Sequence, residues 1–554
     1  MNYNTLTFWI FFAAVLLPYW RLPHRGQNML LLVASYGFYG AWDYRFLFLI
    51  LLSTIIDYVG GLGVAGVQVS RRKLMGLGGL LVLAALFLCS NVRYPELVAA
   101  ARKHDLAKMT AALPRTLVDF RVLIGSVVAV VVYGLLLPAL YRLPEARRRK
   151  AFVWISLTAN LVILGFFKYF DFFVANLAAL IGKAGFSVPS RALGLVLPAG
   201  ISFYTFQAMS YTIDIYRGHA KPTTSFRDFA LFVCFFPHLV AGPIMRAHTL
   251  LPQVVEPRQR KPGMFREGLA LIAVGLAKKL VIADNMAEIA DRVFNRFAAG
   301  GGTANMNALE AMIGLYAFAL QIYGDFSGYS SIARGVSKFL GYELVVNFDL
   351  PYLAQSPSDF WKRWHISLST WLRDYLYIPL GGNRHGTVST YRNLWITMLL
   401  GGLWHGANWT FVLWGAYHGA LLVVFRVLGI PDTVEGTSVA AKVHRALRVV
   451  VMFHLTCLGW LLFRADSMST VTAFLHVLVS GSHAVQLVDV VALAVLAYLT
   501  LPLVLGEAVV GGERGAARFL SLSRTVRGAT YMYLLGMILV FHAKQSTGFI
   551  YFQF

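Results

Sequence analysis

Charge is scarce in this 554-residue sequence. Asp, Glu, Lys and Arg make up 14% of it, against about 25% in an ordinary soluble domain. Acidic residues are the scarcer sign, 26 against 49 Lys and Arg, for a net charge of +23. A chain so poor in charge is neither disordered nor a coiled coil, and it does not read as a typical soluble enzyme. Cysteine is rarer still, with Cys89, Cys234 and Cys457. Each lies in or beside an apolar run and none pairs at close spacing, which excludes a disulfide framework and a cysteine metal site. They read as small buried hydrophobes. The motifs of soluble catalysis are also missing. There is no G-x-S-x-G, no H-E-x-x-H and no P-loop lysine motif, and no histidine is followed five residues later by Asp. Serine-type hydrolysis and nucleotide hydrolysis lose support, and no metal is required.

What is present is apolar. Hydrophobic residues form 58% of the chain and aromatics 14%. They gather in runs at 8–17, 29–41, 46–67, 74–89, 117–140, 152–167, 193–213, 229–239, 269–282, 312–323, 394–403, 409–428, 449–463, 488–505 and 531–541. A helix needs about 20 residues to cross the hydrocarbon. Several runs are shorter, so some are re-entrant or buried in protein. The expectation is an all-α polytopic integral membrane protein, one membrane-embedded domain over 1–554, with roughly 11–13 transmembrane helices plus re-entrant and interfacial ones. The first run has no basic segment before it and is expected to stay as a membrane helix.

Basic residues sit in the short loops. Arg21 and Arg25 follow the first run, Arg71, Arg72 and Lys73 the third, and Arg142, Arg147, Arg148, Arg149 and Lys150 the fifth. Such loops face the cytoplasm, which puts the N-terminus outside. Charge distributed this way also argues against nucleic acid, whose binders gather Lys and Arg on one water-facing surface. Residues 91–118, with Arg93, Arg102, Lys103, Lys108 and Arg115, read as a peripheral amphipathic insertion.

The middle of the chain differs. Residues 217–265 are basic and contain proline, while 347–392 are polar and aromatic without a complete span. A long non-spanning segment inside a membrane protein is where chemistry is sought. Among the 14 histidines, two keep unusual company. Read as one helix over 359–375, the first segment puts Trp361, Trp364, His365, Leu368, Leu372 and Tyr375 on one face. Arg373 lies on a second strip, and Arg363 and Asp374 on a third. An interfacial helix explains the aromatic face, but not the imidazole on it. His405 follows an apolar run amid Gly401, Gly402 and Gly406, which let another backbone or a ligand approach closely. Asn408 and Trp409 share its face if the helix continues. An intramembrane ionisable residue is costly and is a functional candidate by default. His418 reads as a packing residue. Asp214, Asp284 and Asp325, the carboxylates a pump would need, flank basic or polar segments and do not compose a relay.

An ordered set of segments then points to a family. It comprises LPAGISFYTFQ at 197–207, YTIDIYR at 211–217, FPHLVAGPI at 236–244, QIYGDFSGYS at 321–330, FDLPY at 348–352, the two histidine segments, and WLLFRA at 460–465. Together, over about 197–465, these resemble the membrane-bound O-acyltransferases, and within them the bacterial alginate O-acetyltransferase branch. The resemblance implies a fold of membrane helices around a central tunnel, in the inner membrane of a bacterium. It implies a cytoplasmic acyl donor such as acetyl-CoA, used as substrate with no bound cofactor. His405 matches the family's intramembrane histidine and His365 the second one. The acyl group passes to an acceptor on the outer side, where periplasmic acetyltransferase partner proteins modify the polysaccharide.

Acyl transfer needs a hydroxyl made nucleophilic beside an activated carbonyl. A neutral imidazole serves as general base and contributes about 10²–10⁴-fold. Catalysis is therefore assigned to His405 and His365, and substrate binding to Trp361, Arg363, Trp364, Arg373, Asp374, Asn408 and Trp409. Asn408 or a backbone N–H near Gly401 and Gly402 would stabilise the oxyanion. Lys and Arg suit a phosphate-bearing donor. The alternative is the same fold acylating peptidoglycan, cellulose or teichoic acid, the last by D-alanyl transfer. A transporter or flippase is more remote, because the sequence shows no two related halves with paired broken helices.

Overall fold

The computed structural model describes residues 2–550 apart from 91, 114–115, 117–119, 187–191, 241, 299–305, 482–483 and 544–547. Among the described residues the chain is helical throughout and has no strand. It opens with α1 (Leu6–Tyr19), α2 (His24–Asp43), α3 (Leu47–Val64) and α4 (Arg71–Cys89). The segment expected as a peripheral insertion forms two short helices packed on each other, α5 (Tyr94–Arg102) and α6 (Leu106–Ala111). Its residues 91, 114, 115, 117 and 118 lie outside the described part. Next come α7 (Arg121–Arg142), α8 (Glu145–Lys183) and α9 (Ile201–Arg217), then the shorter α10 (Phe226–Cys234), α11 (Phe236–Leu239) and α12 (Ala247–Val255). The central helices are α13 (Met264–Ala277), α14 (Asp284–Ala298) and α15 (Ala308–Phe339). They lead through α16 (Pro357–Arg363) and α17 (Ile366–Leu372) to the hairpin of α18 (Gly386–His405) and α19 (Trp409–Val427). The chain closes with α20 (Val439–Arg464), α21 (Met468–Ser480), α22 (Leu487–Val510), α23 (Ala516–Ser521) and α24 (Arg524–Phe541).

Among the described residues, seven helical stretches are long and apolar enough to cross a membrane: residues 24–64, which join α2 and α3, and α4, α7, α8, α19, α20 and α22. Other apolar elements differ from these in length or in polar content. α1 and α21 are apolar but only 14 and 13 residues long. α9 and α15 are buried along most of their length and carry polar residues such as Gln207, Asp214, Asp325 and Arg334 into the interior. The layering follows from this. α7 and α22 turn their apolar side chains outward to lipid, while α15 runs through the protein centre. α15 lies against α13 backbone to backbone, since a Cβ on Gly275 would meet the Gly328 carbonyl oxygen at 2.7 Å. Such small-residue seams let membrane helices pack by close contact.

Charges in this interior are paired, as the cost of burying them requires. Lys279 lies 2.8 Å from Asp284 and 2.9 Å from Asp325. Arg334 lies 3.0 Å from Glu513. Asp284 and Asp325, weighed above as parts of a pump, thus share one lysine.

The continuous helix expected over 359–375 is absent. α16 ends at Arg363, Trp364 is extended, and His365 adopts a left-handed backbone (φ 42°, ψ 54°) before α17 begins. Residues 373–377 then form a π-helical turn.

α9 fixes the two ends of the site. Arg149, in the basic loop cluster, donates to the Tyr216 carbonyl at 2.6 Å. The Arg217 end of α9 therefore lies at the same end of the protein as the basic 142–150 cluster. Lys168 follows Arg149 along the same helix, about 29 Å farther at 1.5 Å per residue, which is the thickness of the hydrocarbon.

Candidate active site

His405 is the last residue of α18. Gly406 is extended (φ −164°) and ends the helix there. A helix end leaves carbonyls without partners, and here α8 supplies them. Lys168 Nζ donates to Trp404 O at 2.6 Å and to His405 O at 2.9 Å. Tyr169 OH donates to Leu403 O at 2.9 Å. A cation at a helix C-terminus also complements the macrodipole. The imidazole is 4% exposed and lies in a box of rings, its centroid 5.0 Å from Trp404, 4.9 Å from Trp414 and 5.2 Å from Phe463.

Two cavities meet at this helix end. The inner one, about 70 Å³, is lined by His405, Trp404, Lys168, Phe203 and the 197–202 turn. The outer one, about 530 Å³, is lined by Lys168, Asp171, Gly406, Asn408, Arg464 and Asp466 among others. Glycines bring the α18–α19 hairpin together as the sequence suggests. A Cβ on Gly402 would overlap the Phe411 carbonyl oxygen, and one on Gly415 the Met398 carbonyl oxygen.

His365 is fully buried, and its unusual backbone is held by Asn347. Asn347 Oδ1 accepts from His365 Nδ1 at 3.2 Å, from Ser367 N at 3.1 Å and from Ser367 Oγ at 2.9 Å. Ile366 N donates to Asn347 O at 2.9 Å. An acceptor opposite Nδ1 places the lone pair of a neutral ring on Nε2. Non-glycine residues in the left-handed region cost energy and persist only when their surroundings over-determine them. Trp404 stands between the two histidines, its ring 6.1 Å from His365 and 5.0 Å from His405. Phe203 packs against both Trp404 and His365, and Phe206 stacks on Trp371 at 3.9 Å.

At the Arg217 end of α9, arginines converge on Asp374. Arg246 Nη1 is 2.7 Å from its Oδ2, Arg373 Nε is 2.7 Å from its Oδ1, and Arg217 Nη1 donates to its carbonyl at 3.0 Å. Burial alone would raise the Asp374 carboxyl, but the hydrogen bonds of Arg373 and Arg246 outweigh it and hold the group below the usual carboxylate range. Tyr375 OH donates to Asp214 at 2.6 Å, and the Arg217 and Arg246 guanidiniums lie over its ring.

The remaining residues singled out from sequence divide among these places. Arg363 is 2.7 Å from Asp359 and also donates to Asp349 O, which ties down α16. Trp364 is 1% exposed and packs on Phe360 and Trp460. Trp361 meets Trp414 and His418 edge-on. Asn408 and Trp409 do not continue the His405 face, because Gly406 breaks the helix. Asn408 caps α19 by accepting from Thr410 N at 3.1 Å and donates to Asp466 O at 3.1 Å. Trp409 is exposed and donates to Asn176 at 2.8 Å. The amides of Gly401 and Gly402 lie inside α18.

Comparison with known proteins agrees with this geometry. A model of the MBOAT, membrane-bound O-acyltransferase, family matches residues 217–429, which contain both histidines and the arginine cluster. The probable alginate O-acetylase AlgI of Azotobacter vinelandii is 44% identical over 353 residues, 63% of this chain and 67% of that protein. Its namesake in Pseudomonas putida is 42% identical over 365 residues, 64% of this chain and 72% of that protein. The chain belongs to the membrane-bound O-acyltransferase family. It is an O-acyltransferase and a multi-pass membrane protein. The peptidoglycan O-acetyltransferase of Helicobacter pylori is also similar, 38% identical over 360 residues, 59% of this chain and 64% of that protein.

Sequence reasoning missed two residues of this candidate site. Lys168 stands in Phe166-Phe167-Lys168-Tyr169-Phe170, and a run closed at Phe167 leaves it one position outside. A lysine between aromatic residues in an apolar helix is itself a signal. Asn347 carries no such mark, because only the fold brings it to His365.

Proposed function

We propose that the protein takes an acetyl group from a cytoplasmic thioester of the acetyl-CoA kind and delivers it to a hydroxyl on the outer side of the bacterial inner membrane. The destination is an alginate-like exopolysaccharide, reached through periplasmic acetyltransferase partners. The observation that carries this reading is the course of α9. One end contributes Arg217 to the cytoplasmic arginine cluster, and the turn before the other end lines the His405 cavity. Its 17 residues cover about 26 Å. An anionic donor is thereby attracted at one face while its acyl group reaches an imidazole near the other. His405 is the general base, and His365 orients the acyl carrier within the interior. The similarity to two alginate O-acetylases supports the acetyl group and the polysaccharide. The Helicobacter pylori relative keeps peptidoglycan as the second acceptor.

The test is His405→Ala in the native host and in purified form. The variant is expected to insert and accumulate normally, to leave the exopolysaccharide without O-acetyl groups, and to transfer no label from acetyl-CoA. Acetylated polymer from cells carrying only this variant would overturn the assignment. An unchanged exopolysaccharide beside a de-acetylated cell wall after gene deletion would move the acceptor to peptidoglycan.

A further inference from the structure

We infer that Lys168 stabilises the oxyanion of the acyl-transfer step, an inference that rests on the reading of His405 as its base. An ammonium has three donors. Two of them hold the Trp404 and His405 carbonyls, and Lys168 lines both cavities that meet at this helix end. A cation inside a membrane protein pairs with an opposite charge or with backbone carbonyls. Lys168 has the carbonyls but, among the described residues, no carboxylate, and no other charged side chain lines the inner cavity. The carboxylates of the outer cavity serve other groups. Asp171 accepts from Leu193 N at 2.8 Å and Gly194 N at 3.0 Å, and Asp466 accepts from Thr470 Oγ1 at 2.6 Å. Arg464 is held 2.6 Å from Asp291. Lys168 thus keeps a third donor and a charge with no carboxylate beside it at the two cavities, and a carbonyl oxygen gaining charge beside His405 complements both.

The acceptor oxygen bonds to the thioester carbon as its proton passes to the His405 imidazole. The carbonyl electron pair moves onto oxygen, which accepts the third N–H of Lys168. The tetrahedral carbon then re-forms its carbonyl, the C–S bond breaks, and the imidazolium returns the proton to the departing thiolate. Such donors act where charge develops, and losing one costs about 10²–10³ in kcat. The Gly401 and Gly402 amides lie inside α18 and are not available for this task.

The test compares Lys168→Met, Lys168→Gln, Lys168→Arg and His405→Ala in the full-length protein, with labelled acetyl-CoA and a soluble oligosaccharide acceptor. Lys168→Gln keeps an N–H donor for the helix-end carbonyls but removes the charge. Lys168→Met and Lys168→Gln are both expected to lose about 10²–10³ in kcat, with the KM for acetyl-CoA within about twofold of wild type. Lys168→Arg, which keeps the charge, should recover at least about tenfold of that loss. If Lys168→Gln turns over at the wild-type rate, the lysine only caps α18 and the inference fails. If Lys168→Met does not accumulate, the Gln and Arg variants decide. Retained activity in His405→Ala would instead overturn the reading of the site beneath it.

Discussion

Gly401 and Gly402 are adjacent, yet they make opposite predictions. A Cβ on Gly402 would overlap the Phe411 carbonyl oxygen and stand 3.0 Å from Gly415 N and 3.1 Å from Gly415 Cα. All three atoms are backbone, so no side chain can swing away. Carbon–carbon contacts are optimal at about 3.5–4.0 Å, and restoring tolerable contact requires α18 and α19 to part by about 1 Å. Overpacking of this kind costs about 1–3 kcal/mol. The functional effect is expected to exceed the loss of stability. His405 lies three residues beyond Gly402, and a misplacement of about 1 Å can cost about 10² in rate. On Gly401 the added carbon meets only Leu372 Cδ1, at 3.2 Å, and that methyl can give. The assay is acetyl transfer by purified Gly401→Ala and Gly402→Ala, alongside thermal unfolding in detergent. Gly402→Ala should unfold at lower temperature and lose about 10² in kcat, while Gly401→Ala should stay within a few-fold of wild type. Equal behaviour of the two variants would refute the reasoning, because it would mean that hairpin spacing does not position His405.

Other outcomes follow from the same geometry. His365→Asn should lower turnover severely while keeping the protein folded, since Asn tolerates left-handed backbone; wild-type turnover would make His365 a structural residue. Arg246→Gln removes the 2.7 Å contact to Asp374 and one positive charge from the donor's approach. It should raise the KM for acetyl-CoA more than it lowers kcat, and the same KM should climb with ionic strength in the wild type because screening weakens exposed charges. The Asp374 carboxyl, held below its ordinary value of 3.8, contributes stability that is present above that value and is lost as pH falls through the folded-state value. Lowering the pH from about 8 to 5 should therefore leave this cluster intact, and loss of donor binding in the Arg246→Gln variant alone would identify the arginine as its weak point.

Membrane class is legible in the sequence because it depends on local pattern, and so are both histidines as candidates. Apolar runs mark α4, α7, α8 and α22, whose side chains face lipid, where hydropathy decides placement. His405 stands out because glycines and an apolar run surround it. The turn at His365 is different. A 3.6-residue periodicity predicts a helix through it, and the fold overrides the period because Asn347, 18 residues away, takes three hydrogen bonds there. Lys168 is separated from the carbonyl it caps at His405 by 237 positions, a pairing that no local pattern encodes. Asn408 shows the opposite error. Its spacing from His405 is helical on paper, but an extended Gly406 lies between them.

The aromatic partition between the two histidines has a consequence for the cell's energy supply. Under the proposed function, with a donor from one compartment and an acceptor from the other, protons must not follow. Each charge crossing the membrane dissipates about 2.3 kcal/mol per 100 mV. Trp404 stands between the two histidines and packs with Phe203 and Phe206, and Phe206 stacks on Trp371. In the proposed reaction this aromatic layer stands in place of an open pore, and the ion gradient is left standing.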